Sequence, residues 1–195
     1  MYSIVYQDAG IVVVYKEPGL PTQPTKDGRA NLYELLQNEF PYVGLHHRLD
    51  TPVSGLLLLT TQRRLNPALS QAFQERRIER TYFALVLGSL GLQGRIETRL
   101  DGQKASTSWT RAALLDDYSA LQVKLETGRK HQIRRHFSGI GHPIIGDRRY
   151  GGRAKMLAPR IGLHAAELRF THPANGKNIH LKSKIPEAIE FWLAP

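Results

Sequence analysis

A carboxylate lies at a turn in the segment His47–Gly55, which reads His-Arg-Leu-Asp-Thr-Pro-Val-Ser-Gly. Pro52 and the closing glycine favour a turn, and the apolar run that follows is typical of a strand buried on both faces. Polar side chains held on a turn against a rigid strand are well placed for chemistry. Asp50 is therefore a candidate catalytic carboxylate.

The same turn has a simpler interpretation. An aspartate before Thr-Pro often makes a local hydrogen bond to the backbone, and Asp50 could do no more than that. His47 and Arg48 would then be a pair of surface cations. The pattern by itself leaves both interpretations open.

A second polar cluster lies within residues 127–137. Thr127 is predicted to cap a helix that runs to about Ser138, where Gly139 and Gly141 act as stop signals. On this helix Lys130 and Arg134 lie toward one border of the apolar stripe. A cation there either extends to water or meets an anion.

The cations near the start of this helix would be stabilised by a nearby anion. Basic residues at a helix start oppose the helix dipole. A carboxylate supplied from elsewhere, or an RNA phosphate at the helix N-terminus, would relieve this conflict.

A glycine-rich loop with a cationic tip follows at Gly141–Gly152. Asp147 has cations beside it, so it is predicted to form a structural ion pair. From Arg129 to Lys155 the basic residues far outnumber the acidic ones, which is typical of a phosphate-binding surface if the segment folds onto one face.

Overall charge agrees with a polyanionic partner. The chain of 195 residues has 27 Lys+Arg against 17 Asp+Glu and a formal net charge of +10. A domain this basic favours nucleic acid, whereas the alternative is a basic surface kept for solubility alone. The candidate RNA contacts are His47, Arg48, Arg129, Lys130, His131, Arg135, Arg148 and Arg149.

Other function classes are excluded by composition. The absence of cysteine excludes disulfides, thiolate catalysis and Cys-ligated zinc. The first residues do not form a signal peptide, and no apolar run is long enough to span a bilayer. We therefore expect a cytoplasmic protein that does not bind membranes.

The remaining pattern predicts one α+β domain over residues 1–195, rich in antiparallel strands. Ser3–Tyr6 and Ile11–Tyr15 indicate a hairpin, and Asn31 with Glu34 indicates a capped helix start. Further strands are predicted at Gly55–Thr60, Thr81–Leu87, Thr107–Leu114, Ala120–Leu125, Glu167–Thr171 and Ile179–Lys182, and helices at Pro67–Arg76 and Pro186–Leu193. Tyr82 lies in one of these strands, where a core or cross-strand aromatic is the ordinary interpretation.

Together these segments resemble the RluA family of pseudouridine synthases. The matching motifs, in order, are HRLD-x-x-x-SG at His47–Gly55, R-x-Y at Arg80–Tyr82, GR-x-HQ-I/L-R at Gly128–Arg134 and GHP-I-x-GD at Gly141–Asp147. Leu163–Ala165 and Thr171–Pro173 also look like that family. Because several short motifs match in order over nearly the whole chain, the resemblance is far more specific than any one of them.

The resemblance implies a role for particular side chains. Asp50 corresponds to the catalytic aspartate, and Tyr82 to the active-site tyrosine that lies against the target base. Arg134 corresponds to the basic residue that pairs with the aspartate. Arg48 matches an arginine associated with filling the gap left by the extruded nucleotide. The implied fold is a large mixed, mostly antiparallel sheet with flanking helices.

The resemblance also implies a reaction, the isomerisation of uridine in RNA to pseudouridine. That reaction involves no redox change or phosphate chemistry, so we expect no cofactor and no metal. Two features depart from the family pattern: Glu17 follows Lys16 where Lys-Pro is usual, and the segment between Gly88 and Lys104 is short. These concern the substrate rather than the chemistry. We expect a monomeric catalytic domain without an S4-type domain that acts on tRNA or rRNA, with tRNA favoured.

Two other function classes remain as alternatives. One is a non-catalytic RNA-binding module that uses only the basic residues. The other is a metal-dependent hydrolase, since His and Asp side chains suit many metals. Its ligands would be His46, His47 and Asp50, with His131 or His136.

Overall fold

The structure is a computed structural model that describes residues 1–115 and 117–190. These residues form two compact units. The first comprises Met1–Glu79 with Glu167–Ser183, and the second comprises Arg80–Ala166 with the described residues from Lys184 onward. Each unit is thus built from two separated stretches of chain, and strand β9 (Leu163–Thr171) contributes residues to both. The single domain over residues 1–195 stays a prediction.

The first unit is a sheet with two helices. Its strands lie in the order β1, β2, β4, β9, β10, and β3 pairs with β4. The pairings β1–β2, β2–β4, β3–β4 and β9–β10 are antiparallel. The bounds are β1 Tyr2–Gln7, β2 Ile11–Lys16, α1 Leu32–Glu39, β3 Gly44–Leu45, β4 Ser54–Thr60, α2 Asn66–Gln74 and β10 Asn178–Lys182.

Local signals in the sequence explain most of this unit. The Asn31 side chain accepts a hydrogen bond from the backbone N–H of Glu34 at 3.1 Å, which caps α1 as predicted. Every residue of β4 is buried, because the strand has neighbours on both edges and is apolar on both faces. The core around β2 and β4 includes Ile11, Val13, Leu56, Leu58, Leu69 and Phe170.

The strands of the second unit lie in the order β9, β5, β8, β7, β6. The pairings β5–β8, β7–β8 and β6–β7 are antiparallel. The bounds are β5 Glu79–Leu87, β6 Gln93–Leu100, β7 Gln103–Leu115, β8 Tyr118–Leu125, α3 Gln132–Gly139 and α4 Glu187–Glu190. The predicted α+β class with a mostly antiparallel sheet is confirmed, and the end of the predicted helix Pro186–Leu193 lies outside the described residues.

One prediction in this unit is wrong, and one strand was missed. Thr127 does not cap α3: the helix begins at Gln132 after His131, because the Thr127 hydroxyl accepts from Ser106 N–H and donates to the Gln132 side chain. Strand β6 was not predicted at all. It is an edge strand in which only Ile96 and Leu100 are buried, so it carries little hydrophobic alternation.

Among the described residues, no helix has the length and apolar character needed to cross a membrane.

Candidate active site

Asp50 lies on the connection between β3 and β4 in the first unit. Its backbone carbonyl accepts a hydrogen bond from Val53 N–H at 3.0 Å, which closes a turn with Thr51 and Pro52 at its centre. Asp50 is half-buried. The chain enters the fully buried strand β4 four residues later, so the turn is attached to one of the most rigid parts of the unit.

Contacts hold the chain on both sides of Asp50. On one side, the Thr22 hydroxyl donates to Leu49 O at 2.7 Å and accepts from Leu49 N–H at 3.2 Å. On the other side, Thr51 O accepts from Gly19 N–H at 2.8 Å and from the Lys16 ammonium at 3.3 Å. The backbone at Asp50 is therefore fixed from both neighbouring residues.

Lys16 is a structural residue that the sequence reasoning missed. Its side chain is fully buried at the end of β2, and its ammonium also donates to Glu17 O at 3.0 Å and Leu20 O at 2.8 Å. A buried ammonium needs such acceptors. A lysine directly after the apolar run of β2 was the signal that could have identified it.

The two residues before Leu49 in this motif have different environments. The His47 ring accepts a hydrogen bond from Leu58 N–H of β4 at 3.0 Å and packs on Phe73 with ring centroids 4.9 Å apart. Arg48 is exposed. His47 thus anchors the segment to β4, whereas Arg48 is available to a ligand.

Arg134 lies on α3 in the second unit, and both it and Asp147 are buried. Its Nε and Nη2 donate to the two carboxylate oxygens of Asp147, each at 2.8 Å. The predicted ion pair of Asp147 is confirmed, and Arg134 meets an anion rather than extending to water. The pairing of Arg134 with Asp50, which the resemblance implies, stays a prediction.

Several interactions act on the Asp147 carboxyl at once. Burial by itself would raise its pKa, but the hydrogen bonds and charge of Arg134 and the N–H groups of Tyr150 and Arg149 together hold that pKa below its ordinary value. The carboxylate therefore stays ionised in the folded protein and organises the loop that follows it.

This shift predicts how stability changes with acid. The pKa of Asp147 is lower in the folded protein than in the unfolded chain, where it is about 4, so the ionised carboxylate stabilises the fold above that pH. This stabilisation disappears as the pH falls through the pKa of the folded protein. Urea unfolding between pH 6 and pH 2.5 should show a loss of unfolding free energy that is smaller in Asp147→Asn, which lacks the titrating group. An equal loss in both proteins would contradict this assignment.

Tyr82 is buried on β5. It lies opposite Val123 of β8, which lies opposite Trp109 of β7. The Trp109 ring contacts Phe137 of α3 at 5.7 Å, so this row of side chains lies on the sheet face that α3 covers. The burial of Tyr82 suits a core aromatic as well as an active-site ring, and its role stays a prediction.

Some of the predicted RNA contacts of the second unit are exposed cations, and others bond to neighbouring residues. Lys130, Arg148 and Arg149 are exposed. Arg129 is also exposed, with its Nε on Lys104 O at 3.2 Å, whereas Arg135 pairs with Asp101 through bonds of 2.8 and 3.1 Å. His131 hydrogen-bonds Tyr150 at 2.8 Å. The RNA-contact roles of all these residues, and of His47 and Arg48, stay predictions.

The arrangement does not support the metal-dependent hydrolase. In residues 1–115 and 117–190, no group of three or more His, Asp or Glu side chains is placed to hold a metal ion. His46 bonds the hydroxyls of Ser70 and Thr60, and His136 bonds those of Thr107 and Thr98. Both rings are thus engaged by neutral hydroxyl groups.

The fold is that of pseudouridylate synthase structures. The chain matches human RNA Pseudouridylate Synthase Domain Containing 1 with a TM-score of 0.78 and 26% sequence identity, over 94% of this chain and 83% of that one. It is 34% identical over 200 residues to the dual-specificity RNA pseudouridine synthase RluA of Yersinia pestis, covering 92% of this chain and 97% of that protein. It is 31% identical over 220 residues to the ribosomal large subunit pseudouridine synthase D of Vibrio parahaemolyticus, covering 95% and 67%.

The family profile described as RNA pseudouridylate synthase matches residues 10–139. The chain belongs to this family, and its enzyme class is that of an RNA pseudouridine synthase. The resemblance to the RluA family is thereby confirmed.

Proposed function

We propose that this enzyme converts uridine in RNA to pseudouridine with Asp50 as the catalytic carboxylate. The observation that carries the assignment is the fixed turn: both neighbours of Asp50 are held by hydrogen bonds to other segments. A catalytic group must be held in its productive geometry, and such contacts fix the backbone that carries the carboxylate.

The reaction detaches uracil from the ribose at N1, turns it and reattaches it through C5. Asp50 acts as the carboxylate anion, either as a nucleophile or as a base. The target base must first leave its stack, which costs about a few kcal/mol. Arg48, which is exposed on the Asp50 loop, is proposed to fill the vacated space.

Arg134 and Tyr82 complete the proposed catalytic set. The bidentate bond to Asp147 fixes the plane of the Arg134 guanidinium, which supports a role in aiming another group. The proposed partner is Asp50, as the resemblance implies. Tyr82 is proposed to present its ring to the extruded base.

The proposed substrate is tRNA, with rRNA as the competing class. The support is the match over 97% of a dual-specificity relative. We also propose that the enzyme is monomeric and cytoplasmic.

Release of tritium from C5-labelled uridine in RNA tests the function directly. The enzyme should release tritium and leave pseudouridine at the labelled position, and transcripts of tRNA and of rRNA fragments should be compared at equal concentration. RNA binding without any tritium release would leave the non-catalytic RNA-binding module as the explanation.

Binding to RNA should weaken steeply with salt, because exposed cations contact phosphates. Removing a single cation–phosphate interaction changes the slope of log affinity against log salt by about 0.7 to 0.9. Lys130→Gln combined with Arg148→Gln should therefore lower the slope by about 1.4 to 1.8. Arg77→Gln is the control, since this exposed arginine pairs with Glu75 in the first unit. A slope unchanged by the double substitution would remove these residues from the RNA surface.

Replacement of Tyr82 should separate two functions of its side chain. Tyr82→Phe keeps the ring, so we expect it to fold and bind RNA but to lose most of its turnover. Tyr82→Leu should also weaken RNA binding, because base stacking contributes about 1–3 kcal/mol. Single-turnover kinetics, binding and melting curves measure the three quantities.

The matched control is Phe83→Leu, the next residue on β5, which is buried in the hydrophobic cluster with Leu85 and Ile145. It should lower thermal stability without a specific effect on turnover. Full activity in Tyr82→Phe would exclude the hydroxyl from the chemistry.

A further inference from the structure

Two contacts hold the guanidinium of Arg134, one on its planar face and one along its edge. The guanidinium carbon lies 5.1 Å from the centroid of the Tyr150 ring, and the bidentate bond to Asp147 holds its edge. An arginine stacked on an aromatic ring gains a cation–π attraction and loses a direction of movement. Asp147 fixes the plane of the guanidinium, and Tyr150 limits its displacement out of that plane.

The Tyr150 ring is itself fixed by contacts at several points. Tyr150 N–H donates to Asp147 at 3.1 Å, and Tyr150 O accepts from the Ser138 hydroxyl of α3 at 2.9 Å. Its phenol oxygen lies 2.8 Å from Nδ1 of His131, and the two rings meet edge to face with centroids 5.6 Å apart. The ring therefore has little freedom to turn away from Arg134.

His131 makes this contact from an unusual backbone conformation. It is the residue before α3 and has φ 54° and ψ 30°, in the left-handed region that residues with a Cβ rarely adopt. Asparagine or glycine would be more comfortable there, and either would lack the ring that reaches Tyr150. Strain held at one residue indicates that its side chain has a task.

We propose that Tyr150 is a positioning residue for Arg134 and that His131 positions Tyr150. This inference rests on the proposed catalytic role of Arg134. In this role the two aromatic residues act through Arg134. They act by keeping the guanidinium in its productive orientation, so their loss should slow the chemical step more than it weakens RNA binding.

Four variants test this arrangement. Tyr150→Leu removes the ring, and Tyr150→Phe keeps the ring but loses its hydrogen bond to His131. His131→Asn removes the imidazole that makes this hydrogen bond, and asparagine tolerates the left-handed backbone. Tyr118→Leu is the control, because this half-buried tyrosine packs on the separate cluster around Phe83 and Leu85. Each is assayed by single-turnover tritium release, RNA affinity and thermal melting.

Tyr150→Leu should slow the single-turnover step by about tenfold or more, since small displacements of a catalytic group have effects of that size. Its RNA affinity should stay within about twofold of the wild type, because positioning acts on the reaction step. Tyr150→Phe should slow the step by about threefold, and His131→Asn by at least as much, because it removes the edge-to-face ring contact as well as the hydrogen bond. Their combination should slow the step by less than the product of the two effects, because the hydrogen bond is shared. His131→Asn should melt no lower than the wild type.

Several results would overturn the inference. The first is a wild-type rate in Tyr150→Leu, and the second is equal rates in Tyr150→Leu and Tyr150→Phe. The third is a loss of rate in Tyr150→Leu that is no greater than the loss in Tyr118→Leu, when the two variants have the same melting temperature. A weakened affinity with an unchanged rate would show instead that these residues contact RNA. If the wild-type enzyme releases no tritium, the proposed function fails, and this inference fails with it.

Discussion

Asp50→Asn is expected to abolish isomerisation, lowering the single-turnover rate by at least about a thousandfold. The asparagine side chain has the same shape and lacks the charge and the nucleophilic or basic oxygen. The contacts that hold the turn go to the backbone of Leu49 and Thr51, so the variant keeps them. RNA affinity should therefore change little.

The matched control is Asp27→Asn. Asp27 is an exposed aspartate in the same unit that pairs locally with Arg29. Its loss should leave the rate at the wild-type value. Measurable multiple turnover by Asp50→Asn, in a preparation free of other pseudouridine synthases, would remove Asp50 from the catalytic role. A fall in affinity as large as the fall in rate would assign Asp50 to binding instead.

Arg134→Met is expected to lower the free energy of unfolding by about 3–5 kcal/mol and to reduce turnover. The substitution leaves the buried Asp147 carboxylate without the guanidinium that now holds both of its oxygens. Asp147→Asn should also destabilise the protein, because Arg134 then loses the carboxylate that its Nε and Nη2 now contact. The double variant should lose less than the sum of the two single losses, since neither charge remains buried without the other.

The neighbouring residue gives a close control. Arg135 lies on the same helix and also makes a two-point contact with a carboxylate, Asp101, but on the exposed surface. Solvent screens such a pair, so Arg135→Met should cost no more than about 1 kcal/mol. Urea unfolding at pH 7 measures all four variants. Strict additivity of Arg134→Met and Asp147→Asn would show that this pair does not contribute to stability in solution.

Elements with strong local signals could be predicted from the sequence. The first hairpin, the capped start of α1 and the buried strand β4 lie where they were expected. In each case the signal lies within a few residues: a polar turn between apolar runs, an asparagine three residues before a glutamate, or an unbroken apolar segment. Such patterns act through short-range physics and need no knowledge of distant contacts.

The sequence was misleading where contacts between distant residues determine the local structure. Strand β6 is mostly polar, and its strand conformation comes from pairing with β7. Thr127 has the side chain of a helix cap, but its hydroxyl bonds to Ser106, 21 residues away. A local propensity is overridden when a tertiary partner offers the same group a hydrogen bond.

The sequence by itself determined the family, the charge of the chain and the position of Asp50 on a turn, because motif order, composition and the Pro-Gly signals are all properties of the linear chain. Only the tertiary structure decided which groups hold that turn and which anion Arg134 meets. Lys16 reaches Thr51 across 35 residues, and Asp147 reaches Arg134 across 13. Ion pairs and buried hydrogen bonds depend on distances of about 3 Å between specific atoms, and those distances exist only after the chain has folded.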